Sequence, residues 1–424
     1  MKTKVVVIGA GFSGLAAANS LRLAGCKVIV LEARNRIGGR THASSSIGLP
    51  VDLGASWIHY QDNNPLIALS DQFGVSKTLF SDPMCTSSQA NAAFFDSRLR
   101  LSQREVEKIE RSIQTIQNAL NMTGVSSSFE QWFSQYLAGN PLETKQPILS
   151  WLKESLGIWE GWDINQVNLS YIAEDTSTEG EQYFMSGTYA PLVEALAKDL
   201  DITLNAEVTD IDYQDEGVVI STCTESFAAD AVIVTVPLSI LKQLTFIPAL
   251  PDSMQRSIQS LKMGLINKVI LQFDDVFWPE THTLNFLQED MFSSYYNLAA
   301  LGVPSPILMT LNHGEAAVAL ESEPDDIIIK RALAPLTAAF PDADLRLQRY
   351  QITRWHRDKY AQGAYSYLPL GVDSAVYHAL QNSIDHKVYF AGEHTAWPHI
   401  ACVHGAYSSG MSAAKSLLQM HLNT

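Results

Sequence analysis

KVVVIGAGFSGLAAANSLRLAGCKVIVLEA, residues 4–33, decides the fold. A strand-type run ends in Gly9, Gly11 and Gly14, and a helix-type segment follows whose Ala16, Ala17 and Ala18 form a small face for close packing on a sheet. Gly25 stands where such a helix would be capped, and KVIVLEA supplies a second strand. Strand, glycine turn, helix and strand make a βαβ unit. In GxGxxG the glycines permit the tight turn and let backbone N–H groups and the helix N-terminus meet a pyrophosphate. Glu32 ends the second strand near the expected distance of roughly 20 residues, where a carboxylate accepts hydrogen bonds from a ribose diol. The same carboxylate repels a 2′-phosphate, which disfavours NADP.

Working outward, KVYFAGE (387–393) is another short buried-type strand, and 403–420 reads as a helix whose Gly405, Ala406, Gly410, Ala413 and Ala414 allow close backbone approach. Between the ends, 102–120 is an amphipathic helix opened by a Ser102/Glu105 capping box, with Val106, Ile109, Ile113, Ile116 and Leu120 on its apolar face. Two short strands pair around DEG within 202–236 and lead into ADAVIVTVP. Strands at 266–273, 307–311 and 316–321 suggest a second sheet. The 266–273 run carries Lys268 among Ile, Val, Leu and Phe, and an ammonium in such a place needs a partner.

The chain has 424 residues, a formal charge of −16 and a pI near 5.1, which argues against a nucleic-acid partner. Four scattered cysteines (Cys26, Cys85, Cys223, Cys402) form no CxxC pair and no His/Cys zinc spacing, so neither a disulfide framework nor a metal site is expected, and a reducing cytoplasm fits. MKTKVVVIGAG enters glycines too early for a signal peptide and reads as a strand. No apolar run approaches the ~20 residues that span a bilayer, nor is LLQMHLNT a membrane tail, so a soluble protein is expected.

Immediately after Glu32 comes ARNRIGGRT (33–41), and the chain continues through VDLGASWIH (51–59), TVPLSIL (235–241), LINKV (265–269), RWHRDKYAQGAYSYLPLG (354–371), VYFAGEHT (388–395) and CVHGAYSSG (402–410). In these blocks, taken in order over nearly its whole length, the chain resembles the flavin-containing amine oxidase superfamily of monoamine oxidases, polyamine oxidases and flavin-type histone lysine demethylases, and is nearest in motif to the polyamine oxidases. The resemblance implies an α/β (α+β overall) protein: a Rossmann-type FAD-binding domain with a parallel sheet, from 1–77, 187–262 and 386–424, and an inserted substrate domain of mixed sheet and helices, from 78–186 and 263–385.

It also implies roles. Gly9, Gly11, Phe12, Ser13 and Gly14 would hold the pyrophosphate turn, Glu32, Ala33 and Arg34 the adenosine ribose, and Val208 would flank the adenine. Gly39, Arg40, Gly54, Ala55, Ser56, Trp57, Val236, Pro237 and Gly392 would lie along the cofactor, with Glu393 at its sugar-alcohol chain and Val403 opening the helix that stabilises negative charge at the flavin N1/C2 carbonyl. Trp355 would pack on the isoalloxazine, and Lys268 would point at N5 and hold a water there, its partners being cofactor and water. Ala364 stands where monoamine oxidases carry the flavin-attaching cysteine, so FAD would be noncovalent. Of their two facing aromatics the chain has Tyr365 but Cys402 at the second position. His59 resembles the histidine of polyamine oxidases and would bind a substrate nitrogen.

The expected reaction is hydride transfer from an amine α-carbon to flavin N5, imine hydrolysis and reduction of O2 to H2O2, with a polyamine or other long-chain amine as substrate. The acids Glu160, Asp163, Glu174, Asp175, Glu179 and Glu181, with no Lys or Arg among them, either attract a polycation or form a solvated face. An L-amino acid oxidase is the first rival, although DLGASWIH lacks the arginine those relatives carry after the glycine. The second is a noncatalytic flavoprotein scaffold, although the chain has no helical-tower insertion and keeps Lys268 and Tyr365.

Overall fold

A run of Val and Ile at consecutive positions suits a strand covered on both faces. In the computed structural model, described over residues 3–59, 64–81, 91–96, 98–123, 127–139, 145–170, 181–287 and 291–421, Lys4–Ile8 is the middle strand of an all-parallel sheet. Its order is Ile202–Thr203, Lys27–Leu31, Lys4–Ile8, Ala231–Val234, Val388–Phe390. Val5 lies opposite Val28 on one side and Ala231 on the other. Val5, Val7 and Ile233 face the helices Phe12–Leu23, Ala190–Ala197 and Val403–His421. Val6, Ile8, Val232 and Val234 face a four-stranded layer, Ser226–Ala229, Val218–Thr222, Val208–Asp212 and Thr245–Ile247.

Two glycines set how closely these layers meet. A Cβ on Gly14 would stand 1.9 Å from Gly9 O, and one on Gly410 would stand 2.1 Å from Ser13 O. The first helix therefore lies against its own strand and the last helix against the first. Gly25 (φ +90°) follows the C-cap Ala24, one residue later than expected.

A second, seven-stranded mixed sheet runs Leu347–Ile352, Ile266–Phe273, Ile307–His313, Ser294–Asn297, Thr283–Phe286, Ala92–Asp96, Leu99–Arg100. Val269, Leu271 and Phe273 pack with Ile328, Ala332 and Leu336 of the helix Asp325–Ala339. Phe94, on the opposite face, packs with the helices Gln103–Thr123, Phe129–Gly139 and Lys145–Glu160. The first of these opens as expected, Ser102 donating from N–H and Oγ to Glu105 Oε2 at 2.8 and 2.6 Å, and the five apolar residues of its face are buried.

The strand expected at 316–321 is instead the helix Gly314–Leu320. Its alanines favour a helix, and Ala317 and Leu320, three apart, are the buried pair. Every strand of the parallel sheet falls within 1–77, 187–262 and 386–424, and every strand of the seven-stranded sheet within 78–186 and 263–385. A small sheet, Trp57–Ile58, Gln182–Phe184 and Thr78–Phe80, ties the two parts together. It pairs Ile58 with Tyr183 and so brings His59 beside Gln182.

Candidate active site

A cavity of about 950 Å³ is walled by both sheets, near the upper end of the ~300–1,000 Å³ usual for ligand pockets. Its first half is backbone. Gly11 has open space where a Cβ would be, and a Cβ on Gly39 (φ +57°) would stand 3.5 Å from the Gly11 Cα, so two glycine turns form one cradle. Glu32 is buried and accepts from the N–H of Ala10 at 2.8 Å and of Arg34 at 2.9 Å, which fixes the carboxylate at the cavity wall with acceptor capacity to spare. Arg34 holds Asp358 in a bidentate pair at 2.5 and 2.8 Å, and Lys359 pairs with Glu207 at 2.5 Å. Val208, Val236, Pro237, Ala33, Phe12 and Ser13 complete this half. Gly14 does not line the cavity; it serves the helix–strand contact described above.

Midway, Arg40 donates to Ala364 O at 2.7 Å and to Glu393 Oε1 at 2.9 Å. Burial pushes the Glu393 carboxyl up, but Arg40, His394 and the Ser366 hydroxyl outweigh it and hold it below the ordinary range. Ala364, Gly392, Glu393, Cys402 and Val403 share this wall. Trp355 lies in it too, its indole N–H donating to Leu53 O at 3.1 Å.

Lys268, costly in its strand, has protein partners. On Ile266–Phe273, with Ile266 beside it and Leu311 opposite, it lines the cavity while only 4% exposed. Its Nζ donates to Asp52 O at 2.9 Å, Gly54 O at 2.5 Å and Ser56 Oγ at 2.5 Å. The ammonium's three donors thus go to the 52–56 loop, so its partners here are protein oxygens. Gly54 is required in that loop, because a Cβ would come within 1.7 Å of Arg40 O.

The far half is aromatic and apolar: Trp57, Phe80, Leu120, Leu156, Ile158, Trp159 and Tyr296, with Tyr365 and Cys402. Tyr365 donates its hydroxyl to Ile158 O at 2.5 Å and stays a phenol, its pKa raised well above the usual value by burial and then by the Glu160 charge. His59 Nδ1 donates to Gln182 Oε1 at 2.6 Å and the ring tilts on Trp159, 5.5 Å between centroids. Burial lowers its pKa, partly opposed by the Gln182 bond, so the imidazole is neutral at pH 7.

The acid run divides. Glu160 lines the cavity, Asp163 caps a short 3₁₀ turn by accepting from Asn165 N–H at 2.9 Å, and Glu181 is exposed. Glu174, Asp175 and Glu179 lie outside the described residues. Sequence reasoning missed Phe80, Trp159, Gln182, Tyr296 and Leu311, which belong to no motif and meet only through the fold. Among the described residues no cluster of His, Cys, Asp or Glu has the form of a metal site.

The family model for flavin containing amine oxidoreductase matches residues 12–418. The chain belongs to this family. It is 33% identical to polyamine oxidase 2 of Arabidopsis thaliana over 98% of this chain and 88% of that one. It is 31% identical to polyamine oxidase 3 of Oryza sativa subsp. japonica over 97% and 88%. Lysine-specific histone demethylase 1 homolog 2 of Arabidopsis is 30% identical over 98% of the chain, which spans 58% of that longer protein. Among solved structures, cyclohexylamine oxidase from Brevibacterium oxydans superposes with a TM-score of 0.82 at 21% identity over the full length of both chains. A putrescine oxidase redesigned for cofactor binding gives 0.82 at 20% over 99% of each. The chain is an FAD-dependent amine oxidase, and the glycine cradle, the poised Glu32 carboxylate and the cavity's volume fit that dinucleotide.

Proposed function

We propose that this amine oxidase acts on polyamines or other long-chain amines, with its FAD held noncovalently. The carrying observation is Glu160, a carboxylate beside Tyr365 in the half of the cavity whose other lining side chains are aromatic, apolar or uncharged polar. The lysines and arginines among the described lining residues are committed: Arg34 to Asp358, Arg40 to Glu393, Lys359 to Glu207, and Lys268 to the 52–56 loop. That suits a substrate whose second charge is positive and disfavours the carboxylate of an L-amino acid.

When bound, FAD takes a hydride equivalent from the amine and delivers the electrons to O2, giving H2O2. The chain's residues do the rest. Gly9, Gly11, Gly39, Glu32 and Arg40 would hold the dinucleotide, and Ala364 offers no thiol for covalent attachment. Phe80, Trp57 and Tyr296 exclude water and orient the carbon chain. Glu160 binds a distant ammonium, while His59, neutral and fixed by Gln182, takes a hydrogen bond at an uncharged nitrogen. The substrate nitrogen must lose a proton before its C–H bond breaks, so kcat/KM should rise with pH. The segments 1–77, 187–262 and 386–424 form the flavin domain and 78–186 with 263–385 the substrate domain. No helix among the described residues is long and apolar enough to cross a membrane. The scattered cysteines suit the cytoplasm.

The test is a peroxide-coupled screen of monoamines, a linear triamine and L-amino acids, on wild type and Glu160→Gln. The triamine should lead, and the variant should lose about tenfold in kcat/KM on it, ~1.4 kcal/mol, with a monoamine of equal length unchanged. A preferred L-amino acid would sink the proposal.

A further inference from the structure

Asp52 is a buried carboxylate to which the reaction so far gives no task. It begins the loop whose oxygens hold Lys268, and it is 6% exposed. Among the described residues its side chain is bonded only by the Tyr189 N–H, shared between the two oxygens at 3.2 Å each. A buried carboxylate so sparsely satisfied needs a countercharge. Ser56 lies between the two: its hydroxyl accepts from Lys268 Nζ, donates only weakly, to Gly54 O at 3.5 Å, and lines the large cavity. It also lines, with Asp52, Ser186 and Thr188, a separate void of about 10 Å³, roughly the room one water needs.

We propose that Asp52 is a positioning residue of the reaction that acts through Lys268, the two sharing one proton by way of the Ser56 hydroxyl and one water in the void that Ser56 and Asp52 both line. The exchange is balanced: an ammonium and a carboxylate become an amine and a carboxylic acid, Ser56 accepting one proton from Nζ as it releases its own to a water in the void, which passes one of its protons to the Asp52 carboxylate. Net charge in the interior is unchanged at either extreme, so Lys268 changes charge at the cavity wall without leaving an uncompensated ion behind it.

Burial pushes the Asp52 carboxyl up, opposed by the Lys268 charge and the Tyr189 N–H, and pulls the Lys268 ammonium down, opposed by Asp52, so the two values approach each other. The other titratable groups near the pair are the Tyr189 phenol, which donates to Trp57 O, and Cys402, whose charge is felt at Tyr189; burial keeps the phenol protonated.

This inference rests on reading Lys268 as part of the reacting wall, and a double-substitution cycle on the flavin-loaded protein separates the two. At pH 8 Lys268→Met leaves a buried carboxylate alone, so its thermal midpoint should fall, and adding Asp52→Asn should raise it again. With its cation gone, Asp52 has a folded pKa well above its unfolded one. Its contribution is therefore full below about pH 4 and is lost as pH rises through the folded value. Lys268→Met should accordingly lose stability from pH 5 to 8 more steeply than wild type, a measurement that stands even if Asp52→Asn fails to fold. The pH dependence of the oxidised flavin's absorbance should move down by at least one pH unit in Asp52→Asn and disappear in Lys268→Met. Additive midpoints, or a titration that Asp52→Asn leaves in place, overturn the role of Asp52. Flavin reduction at the wild-type rate in Lys268→Met would instead remove Lys268 from the reaction while leaving the pairing intact.

Discussion

The two halves of the cavity are built by different means. The dinucleotide half is made of backbone, with glycine turns at 9–11 and 38–39, a helix start at Phe12 and a carboxylate oriented by the N–H groups of Ala10 and Arg34. The amine half is made of side chains delivered singly by strands and helices far apart in sequence. Added atoms clash at Gly9 and Gly54, where a Cβ would stand 2.7 Å from Thr235 Oγ1 and 1.7 Å from Arg40 O, whereas a side-chain wall can be re-cut one residue at a time. That asymmetry lets one cofactor fold serve many amines.

The sharpest break of the comparison is Gly54→Ala. The added methyl would overlap Arg40 O, so both the loop that holds Lys268 and the arginine that meets Glu393 must shift. Near-total loss of flavin after desalting is expected, read from the ratio of visible to ultraviolet absorbance; full retention would show that this half is softer than its contacts imply. Re-cutting the other half should be milder. Cys402→Tyr restores a second aromatic opposite Tyr365 and should shift kcat/KM from the triamine toward small arylalkylamines by some tens of fold, within the ~1–3 kcal/mol that reshaping an apolar wall supplies. Flavin content should stay normal, and an unchanged ratio would remove Cys402 from the specificity wall. Smallest is Lys359→Ala at the adenosine end, where the pair with Glu207 is largely exposed. Flavin affinity should weaken no more than about fivefold, since exposed pairs contribute ~0–1 kcal/mol. A larger loss would mean the backbone cradle depends on its rim.

The same asymmetry decides what could be read from the chain. Gly9, Gly11, Glu32, Gly39 and Arg40 were legible because a phosphate cradle demands fixed local spacings, and all five line the cavity. Lys268 was legible because a lysine in a β-branched run is costly, but its acceptors, two of them main-chain carbonyls, carry no sequence signature. Glu160 could not be told from Asp163 or Glu181 by composition; one faces the cavity, one caps a turn and one faces solvent. Phe80, Trp159 and Tyr296 look like core aromatics, and only the pairing of Thr78–Phe80 and Trp57–Ile58 on Gln182–Phe184, with the neighbouring sheet and the helix Lys145–Glu160, brings them to one wall. The misread 316–321 failed for another reason: at that length an Ala-rich apolar run has no distinct period, and helix propensity decides.

The packing of Val403–His421 on Phe12–Leu23, with Val388–Phe390 completing the parallel sheet beside Ala231–Val234, has a consequence for biosynthesis. The glycine turn leaves the ribosome early, yet Glu393, Cys402 and Val403 arrive hundreds of residues afterwards. Until they do, the wall at the middle of the cavity does not exist and Ala231–Val234 keeps an open, apolar edge of the kind that pairs with the wrong chain. The flavin site thus cannot close before 388–403 has been made, and until then the parallel sheet carries an unpaired apolar edge.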